Sequence, residues 1–394
     1  MSGLHRQISM LTAGRDRPYA LGLAAALAAA GVRFDFIGSN EVDSPELHTS
    51  PQIHYLNLRG DQSVEAGALQ KVFRVLAYYF RLLGYAFTAR PKIFHILWNN
   101  KFELFDRTAL MLFYKLLGKK IVFTAHNVNA RARDGGDSWL NRATLKFQYR
   151  CCDHVFLHTE KMKMELVSDF DFPENKASVI PFGINSTVPD TTLTTAAARQ
   201  QLGLAAHEKV LLFFGNIAPY KGVEFLVDAF IEVAPRGENF RLIIAGRPKG
   251  SEDYWAGLLA KINASPVRDK IMLKIEYVPD AETEIYFKAA DILILPYTHI
   301  FQSGVLFLGY NFGLPSIAAD VGSLKEEIVE GQTGLVFRPR DAADLARTIE
   351  KYFTSDLYLN LPARRQGIRE FANERYSWSK VARITTEVYA GLLK

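Results

Sequence analysis

The stretch from Asp291 to Phe337, DILILPYTHIFQSGVLFLGYNFGLPSIAADVGSLKEEIVEGQTGLVF, leaves a folding chain few choices. Its opening run, Asp291 to Tyr297, is apolar up to Pro296 and predicts a buried strand. A short polar turn follows, then a helix-length segment that opens at Gln302, Ser303 and Gly304 and stops at Gly313. Gly313-Leu314-Pro315 closes that helix and feeds a second apolar run, Ser316 to Ala319. Strand, small-residue turn, helix and strand make a βαβ unit. The amides at such a helix N-terminus suit an anion, above all a phosphate. A βαβ unit with a serviceable turn and no ligand fits the same pattern.

A chain of 394 residues is long enough for two cores. Strands are predicted near residues 7–11, 32–38, 52–58, 92–98, 119–125, 153–159 and 178–181, with helical patterns between them. Residues 183–208 read as a linker. Strands resume at 209–215, 240–245, 271–278, 291–295, 316–319 and 335–337, again alternating with helices, and three helical segments end the chain. Such alternation predicts parallel, doubly wound sheets, with ligands at the carboxyl ends of the strands.

The first strand is followed by the loop Thr12-Ala13-Gly14-Arg15-Asp16-Arg17-Pro18, without G-x-G-x-x-G, which argues against a dinucleotide oxidoreductase. Arg15 and Arg17 are either phosphate-facing or solvated. Phe123-Thr124-Ala125-His126-Asn127 ends a predicted strand. Asp169-Phe170-Asp171 has the acid-x-acid form of a divalent-ion site, yet its Pro- and Asn-rich setting reads as a surface loop. Cys151 and Cys152 are adjacent and the only cysteines, so neither a disulfide framework nor a metal cluster is expected.

The order of motifs resembles the donor half of retaining glycosyltransferases of the GT-B fold, family 4. The resemblance rests on the strand ending in Pro296, the turn, the helix closing on Gly313-Leu314-Pro315, then Gly322-Ser323-Leu324-Lys325-Glu326 and Gly331-Gln332-Thr333-Gly334-Leu335. It returns upstream at Phe214-Gly215-Asn216 and Tyr220-Lys221-Gly222. It implies an α/β fold of two Rossmann-like domains facing a cleft. Residues 1–185 would bind the acceptor and 186–375 the nucleotide sugar, while 376–394 would form a helix crossing back to the first domain.

The function implied is transfer of a hexose, with retention, from a UDP- or GDP-linked donor to a glycan, a lipid-linked sugar or a small molecule, in polysaccharide biosynthesis. No cofactor and no metal are expected. Lys221 resembles the lysine placed on the diphosphate, and His126 the histidine placed over the donor sugar. Asn216, Arg247, Val278, His299, Gln302, Ser303, Gly304, Val305 and Glu326 complete the expected donor site. Two departures stand out. Asn216 occupies a position that is usually arginine, and the two customary glutamates are replaced by Ile300 and Leu308, so donor contacts are expected from His299, Gln302 or Glu326 instead. An inactive GT-B protein that binds a nucleotide or a partner, and a sugar-nucleotide epimerase, fit the same motifs.

Charge is uneven: residues 1–185 hold 23 Lys and Arg against 17 Asp and Glu, for a whole-chain net of +5. No acidic residue falls between Glu65 and Glu103, where Lys71, Arg74, Arg81, Arg90, Lys92 and Lys101 interleave with Phe73, Tyr78, Tyr79, Phe80, Tyr85 and Phe87. A helix over 64–90 is predicted there, either packed on the sheet or making peripheral contact with an anionic membrane through residues 66–102, with Lys71, Arg74 and Arg81 at headgroups and Phe73, Tyr78 and Phe80 in the interface. The excess is too mild for nucleic acid. No run is long enough to span a bilayer and the opening residues lack the pattern of a signal peptide, so the cytoplasm, up to the inner face of the membrane, is the expected location.

Overall fold

The computed structural model describes residues 5–14, 16–63, 67–133, 136–183, 188–237, 239–248, 250–300 and 302–394. Arg15 and Ala66 lie outside them. The chain forms two compact units, one of residues 1–183 and 376–394, the other of residues 184–375.

The first unit is built on seven parallel strands: β1 (His5–Leu11), β2 (Arg33–Gly38), β3 (Ile53–Asn57), β4 (Ile93–Ile96), β5 (Lys120–Thr124), β6 (His154–Leu157) and β7 (Ala177–Val179). Their order is β3-β2-β1-β4-β5-β6-β7. The second unit has six: β8 (Lys209–Phe214), β9 (Phe240–Ala245), β10 (Ile271–Lys274), β11 (Ile292–Leu295), β12 (Ser316–Ala319) and β13 (Gly334–Phe337), in the order β10-β9-β8-β11-β12-β13. All pairings are parallel, and the interior strands are buried on both faces, as their continuous apolar runs require. Each sheet reverses direction of growth once, between β1 and β4 and between β8 and β11. A crevice opens at the carboxyl ends of strands at such a switch point.

Several expected elements are trimmed. The strand predicted over 271–278 stops at Lys274, because its only partner, β9, ends at Ala245 opposite it. Val278 therefore lies past the strand, buried, just before the helix Asp280–Ala289. The predicted 64–90 helix is Ala68–Thr88, ended three residues before Pro91. The helix after β11 begins at Gly304 rather than Gln302 and runs to Asn311. Gly313 ends it with φ at 62°, while the Leu314 amide donates to the Gly309 carbonyl and the Gly313 amide to that of Tyr310. That double bond is the Schellman cap, and it needs a residue that tolerates the left-handed region.

The last helix, Trp378–Leu392, belongs to the first unit. Val381, Ala382 and Tyr389 enter its core beside Leu23, Leu27 and Phe156. The Tyr389 hydroxyl contacts His95 Nδ1 at 2.5 Å, and His95 Nε2 contacts the Thr124 hydroxyl at 2.7 Å. Trp378 lies against two glycines: a Cβ added at Gly22 or at Gly183 would stand 2.3 Å from its ring. Trp378→Ala is therefore expected to destabilise the first unit by about 3 kcal/mol through the cavity it leaves. Chemical denaturation followed by a probe in that unit checks this, and an unchanged midpoint would mean the helix is docked by other contacts.

Candidate active site

In the second unit the switch point is assembled by two turns. After β8 the chain reaches a 3-10 turn, Pro219–Lys221, that ends at Gly222 with φ at 62°. A Cβ at 222 would lie 2.0 Å from the Pro296 carbonyl oxygen, so only glycine lets this turn press against the end of β11. The Thr298 amide donates to the Tyr220 carbonyl at 2.9 Å and fastens the second turn to the first. Lys221 is thereby held buried with its Nζ 3.9 Å above the centre of the Tyr297 ring. A desolvated ammonium over an aromatic face gains about 2 kcal/mol or more, which makes the ring a seat for the charge.

The Ser303 hydroxyl donates to the Tyr297 hydroxyl at 3.3 Å and makes no capping bond to the helix that follows. Ser303 would ordinarily turn its oxygen onto those amides. Its diversion leaves the Val305 amide without that cap, and the Val305 side chain lies 3.5 Å from where a Cβ on Gly215 would stand. Gln302 Nε2 lies 3.5 Å from a carboxylate oxygen of Glu327, and its Oε1 is buried with no hydrogen-bond partner among the described residues. Glu326 is exposed, and its carbonyl accepts from Arg375. The carboxylate that reaches Gln302 is thus that of its buried neighbour. Ile300 and Leu308 are both buried.

A second group gathers at the tips of β8, β9 and β10. Asn216 and Arg247 are exposed, and the Ile217 amide donates to the Arg247 carbonyl at 2.9 Å. The Arg247 guanidinium sits 5.6 Å from the centre of the exposed Tyr277 ring. His299 is exposed on the turn after β11. Tyr277, Tyr297 and Glu327 were not expected from the sequence. Tyr277 and Tyr297 follow strand ends and could have been flagged by position, whereas Glu327 gave no signal beyond being next to Glu326.

In the first unit His126 follows β5. Its ring stacks on Trp98 with centroids 4.2 Å apart and 5° between planes, and meets Tyr19 edge-on at 4.6 Å. His126 Nδ1 is 3.1 Å from His158 Nε2, and His158 Nδ1 is 3.3 Å from the Ile180 carbonyl. A carbonyl can only accept, so His158 carries its proton on Nδ1 and accepts at Nε2. His126 then donates from Nδ1 and keeps a lone pair on Nε2. Burial, reinforced by His158 and His95, holds His126 well below the usual imidazole range, so the ring is neutral. Its Nε2, the Tyr19 hydroxyl and the Trp98 indole nitrogen are buried without partners among the described residues. Three such atoms on touching rings suit a ligand rich in hydroxyls.

The triplet Asp169-Phe170-Asp171 ends the helix Glu160–Phe170 instead of forming an ion site: Phe170 is buried, Asp169 meets Arg142 at 3.4 Å, and Asp171 pairs with Lys146. Among the described residues no group of three His, Cys, Asp or Glu could hold a metal ion.

The fold and these two strand-tip sites define the class: two parallel-sheet Rossmann-like units of the GT-B type. Residues 18–188 match the family described as Glycosyltransferase Family 4, and residues 208–355 the family Glycosyl transferases group 1. Sucrose-phosphate synthase from Thermosynechococcus elongatus is similar with a TM-score of 0.76 at 19% identity, over 98% of this chain and 99% of that one. Anabaena HepE, in complex with UDP and glucose, is similar with a TM-score of 0.74 at 16% identity, over 98% and 100%. The D-inositol 3-phosphate glycosyltransferase of Corynebacterium efficiens is 28% identical over 249 residues, 60% of this chain and 58% of that protein. The same-named protein of Nocardia farcinica is 30% identical over 246 residues, 61% and 53%. The match thus spans less than two thirds of the length of these curated relatives. Within its class, the chain has the GT-B fold and resembles glycosyltransferase family 4 in its first unit and glycosyl transferases group 1 in its second.

Proposed function

We propose that the protein transfers a hexose, with retention, from a nucleotide sugar to a hydroxyl acceptor without a metal ion. The carrying observation is Lys221, buried over Tyr297 at the switch point of the second sheet, next to a helix N-terminus that Ser303 does not cap. As the glycosidic bond breaks, negative charge grows on the leaving diphosphate. A preorganised ammonium and the amides of that helix N-terminus stabilise that charge most where it is greatest, in the transition state. Gln302, oriented by Glu327, and Asn216 are assigned to donor hydroxyls and phosphate oxygens, and Arg247 with Tyr277 to the nucleobase, UDP and GDP being the leading candidates.

His126 is assigned to a sugar hydroxyl. Neutral and with Nε2 unprotonated, it accepts a hydrogen bond and is not a proton donor. With no carboxylate nucleophile assigned among the described residues, a leaving phosphate oxygen takes the acceptor's proton as the new bond forms on the same face. The acceptor is assigned to the first unit and is a glycan, a lipid-linked sugar or a small molecule, as in polysaccharide biosynthesis. The cytoplasm, up to the membrane's inner face, is the proposed location.

Activity is expected to persist in excess EDTA, because Lys221 and the amides carry the neutralising role and Asp169 and Asp171 are taken up by Arg142 and Lys146. Incubation with a panel of nucleotide sugars and acceptors, with and without EDTA, and measurement of free nucleoside diphosphate tests this. Activity lost in EDTA and restored by magnesium would remove metal independence. No release with any donor would leave a nucleotide-binding protein without transfer.

A further inference from the structure

The helix Ala68–Thr88 carries its aromatic residues reversed for an element that packs only on its own sheet. Its tyrosines face inward: Tyr78 and Tyr79 are 3% and 6% exposed, with hydroxyls on Asn100 at 2.6 Å and Asp106 at 2.9 Å. The Tyr85 hydroxyl donates to Asp35 at 2.7 Å. Its phenylalanines face outward, with Phe73, Phe80 and Phe87 at 73%, 81% and 73% exposure, and Leu69 at 89%. Leu76 and Val72 are exposed too. At 3.6 residues per turn these six fall within an arc of about 100° along the full helix, a stripe roughly 30 Å long. Phe102, also exposed, stacks on Tyr79 with ring centroids 5.5 Å apart and widens the patch. Exposed apolar surface this continuous marks a binding face.

Charge identifies what covers it. No acidic residue occurs from 67 to 102. Arg74 is taken up by Asp61 and the Ser63 carbonyl, and Tyr78 is core, so neither belongs to the face expected from the sequence. Arg81, Arg90, Lys92 and Lys101 are exposed, and among the described residues Arg81 donates to the Leu58 carbonyl and forms no ion pair. A second copy of this chain would bring the same cations face to face. Among the described residues no helix is long and apolar enough to cross a membrane.

We propose that this face docks on an anionic lipid bilayer, with the phenylalanine stripe lying in the interface and Arg81, Arg90, Lys92 and Lys101 meeting the headgroups. The inference stands on this helix and does not depend on glycosyl transfer.

Flotation of the full chain with vesicles of phosphatidylcholine, alone or with a third phosphatidylglycerol, tests it without any nucleotide present. The parent is expected to bind the anionic vesicles at least about tenfold more tightly, and to weaken as salt rises toward about 0.5 M. Arg81→Gln with Arg90→Gln and Lys92→Gln should lose roughly a hundredfold of that binding, at about fivefold per cation. Phe73→Ser with Phe80→Ser and Phe87→Ser should abolish it. The altered side chains are at the surface, and an unchanged melting curve confirms that each variant is folded. Three results would overturn the proposal: no vesicle binding by the parent, undiminished binding by the serine variant, or concentration-dependent dimerisation that the serine variant removes. A stoichiometric complex with a protein that blocks vesicle binding through the same phenylalanines would reassign the face to that protein.

Discussion

Lys221→Met is expected to lower turnover by about a hundredfold or more, the effect of removing one preorganised donor from a transition state, while the protein still folds. Methionine preserves an unbranched stem over the Tyr297 ring and removes the charge with its hydrogen-bond donors. Folding should tolerate the exchange, since a buried ammonium contributes little net stability compared with a well-packed apolar group. The loss should fall on turnover more than on the Michaelis constant, because the charge it answers is largest as the bond breaks. Steady-state kinetics of the folded variant check this. Turnover equal to the parent's would remove Lys221 from the diphosphate.

The second large effect is acid lability of the first unit. Burial pushes His95 down to about 3 and His154 and His158 to about 4, and holds His126 well below its usual value. The unfolded chain takes up protons at these imidazoles below about pH 6.5, whereas the folded one stays neutral until near pH 4, so stability falls as pH falls. Each contributes about 1.4 kcal/mol per pH unit. Two carboxyls oppose them: burial lifts Asp106 to about 6 and Glu165 to about 7, so the folded state takes up these protons first. Asp16, raised by burial, has the same sign. The surplus is near two imidazoles, about 2 to 3 kcal/mol per pH unit between about pH 6 and 4. Over that window the loss comes to about 4 to 6 kcal/mol, a large share of a total of about 5–15 kcal/mol. Denaturant titrations at pH 7 and pH 5 measure it, and equal midpoints would mean that the imidazoles protonate in the folded state.

The architecture was legible because each βαβ unit carries its own punctuation. Pro296, Gly313 and Pro315 mark strand end, helix end and strand start, and local chemistry acts at all three. The C-terminal helix was also readable, though its anchor was not: Trp378 depends on Gly22 and Gly183, far away in the chain. Short helices such as Pro45–Thr49 and Glu103–Arg107 went unread because five residues hold too little periodicity.

At the candidate site, Lys221, Ser303 and Val305 could be picked out from turn spacing. Tyr297 beneath Lys221 and Glu327 beside Gln302 could not, because packing across strands brings those pairs together. The Ala68–Thr88 helix shows the limit most plainly. Composition gave an aromatic, basic helix, but which rings turn inward was decided by hydrogen bonds that only tyrosine can make, to Asn100, Asp106 and Asp35.

Calorimetric titration of UDP and GDP into the parent and into Lys221→Met tests the central claim most directly. One of the two nucleotides is predicted to bind the parent at one site per chain, and to bind the variant at least about tenfold more weakly through loss of a charge-assisted contact. Equal affinity for both proteins, or no binding of either nucleotide to the parent, would contradict a diphosphate site at Lys221.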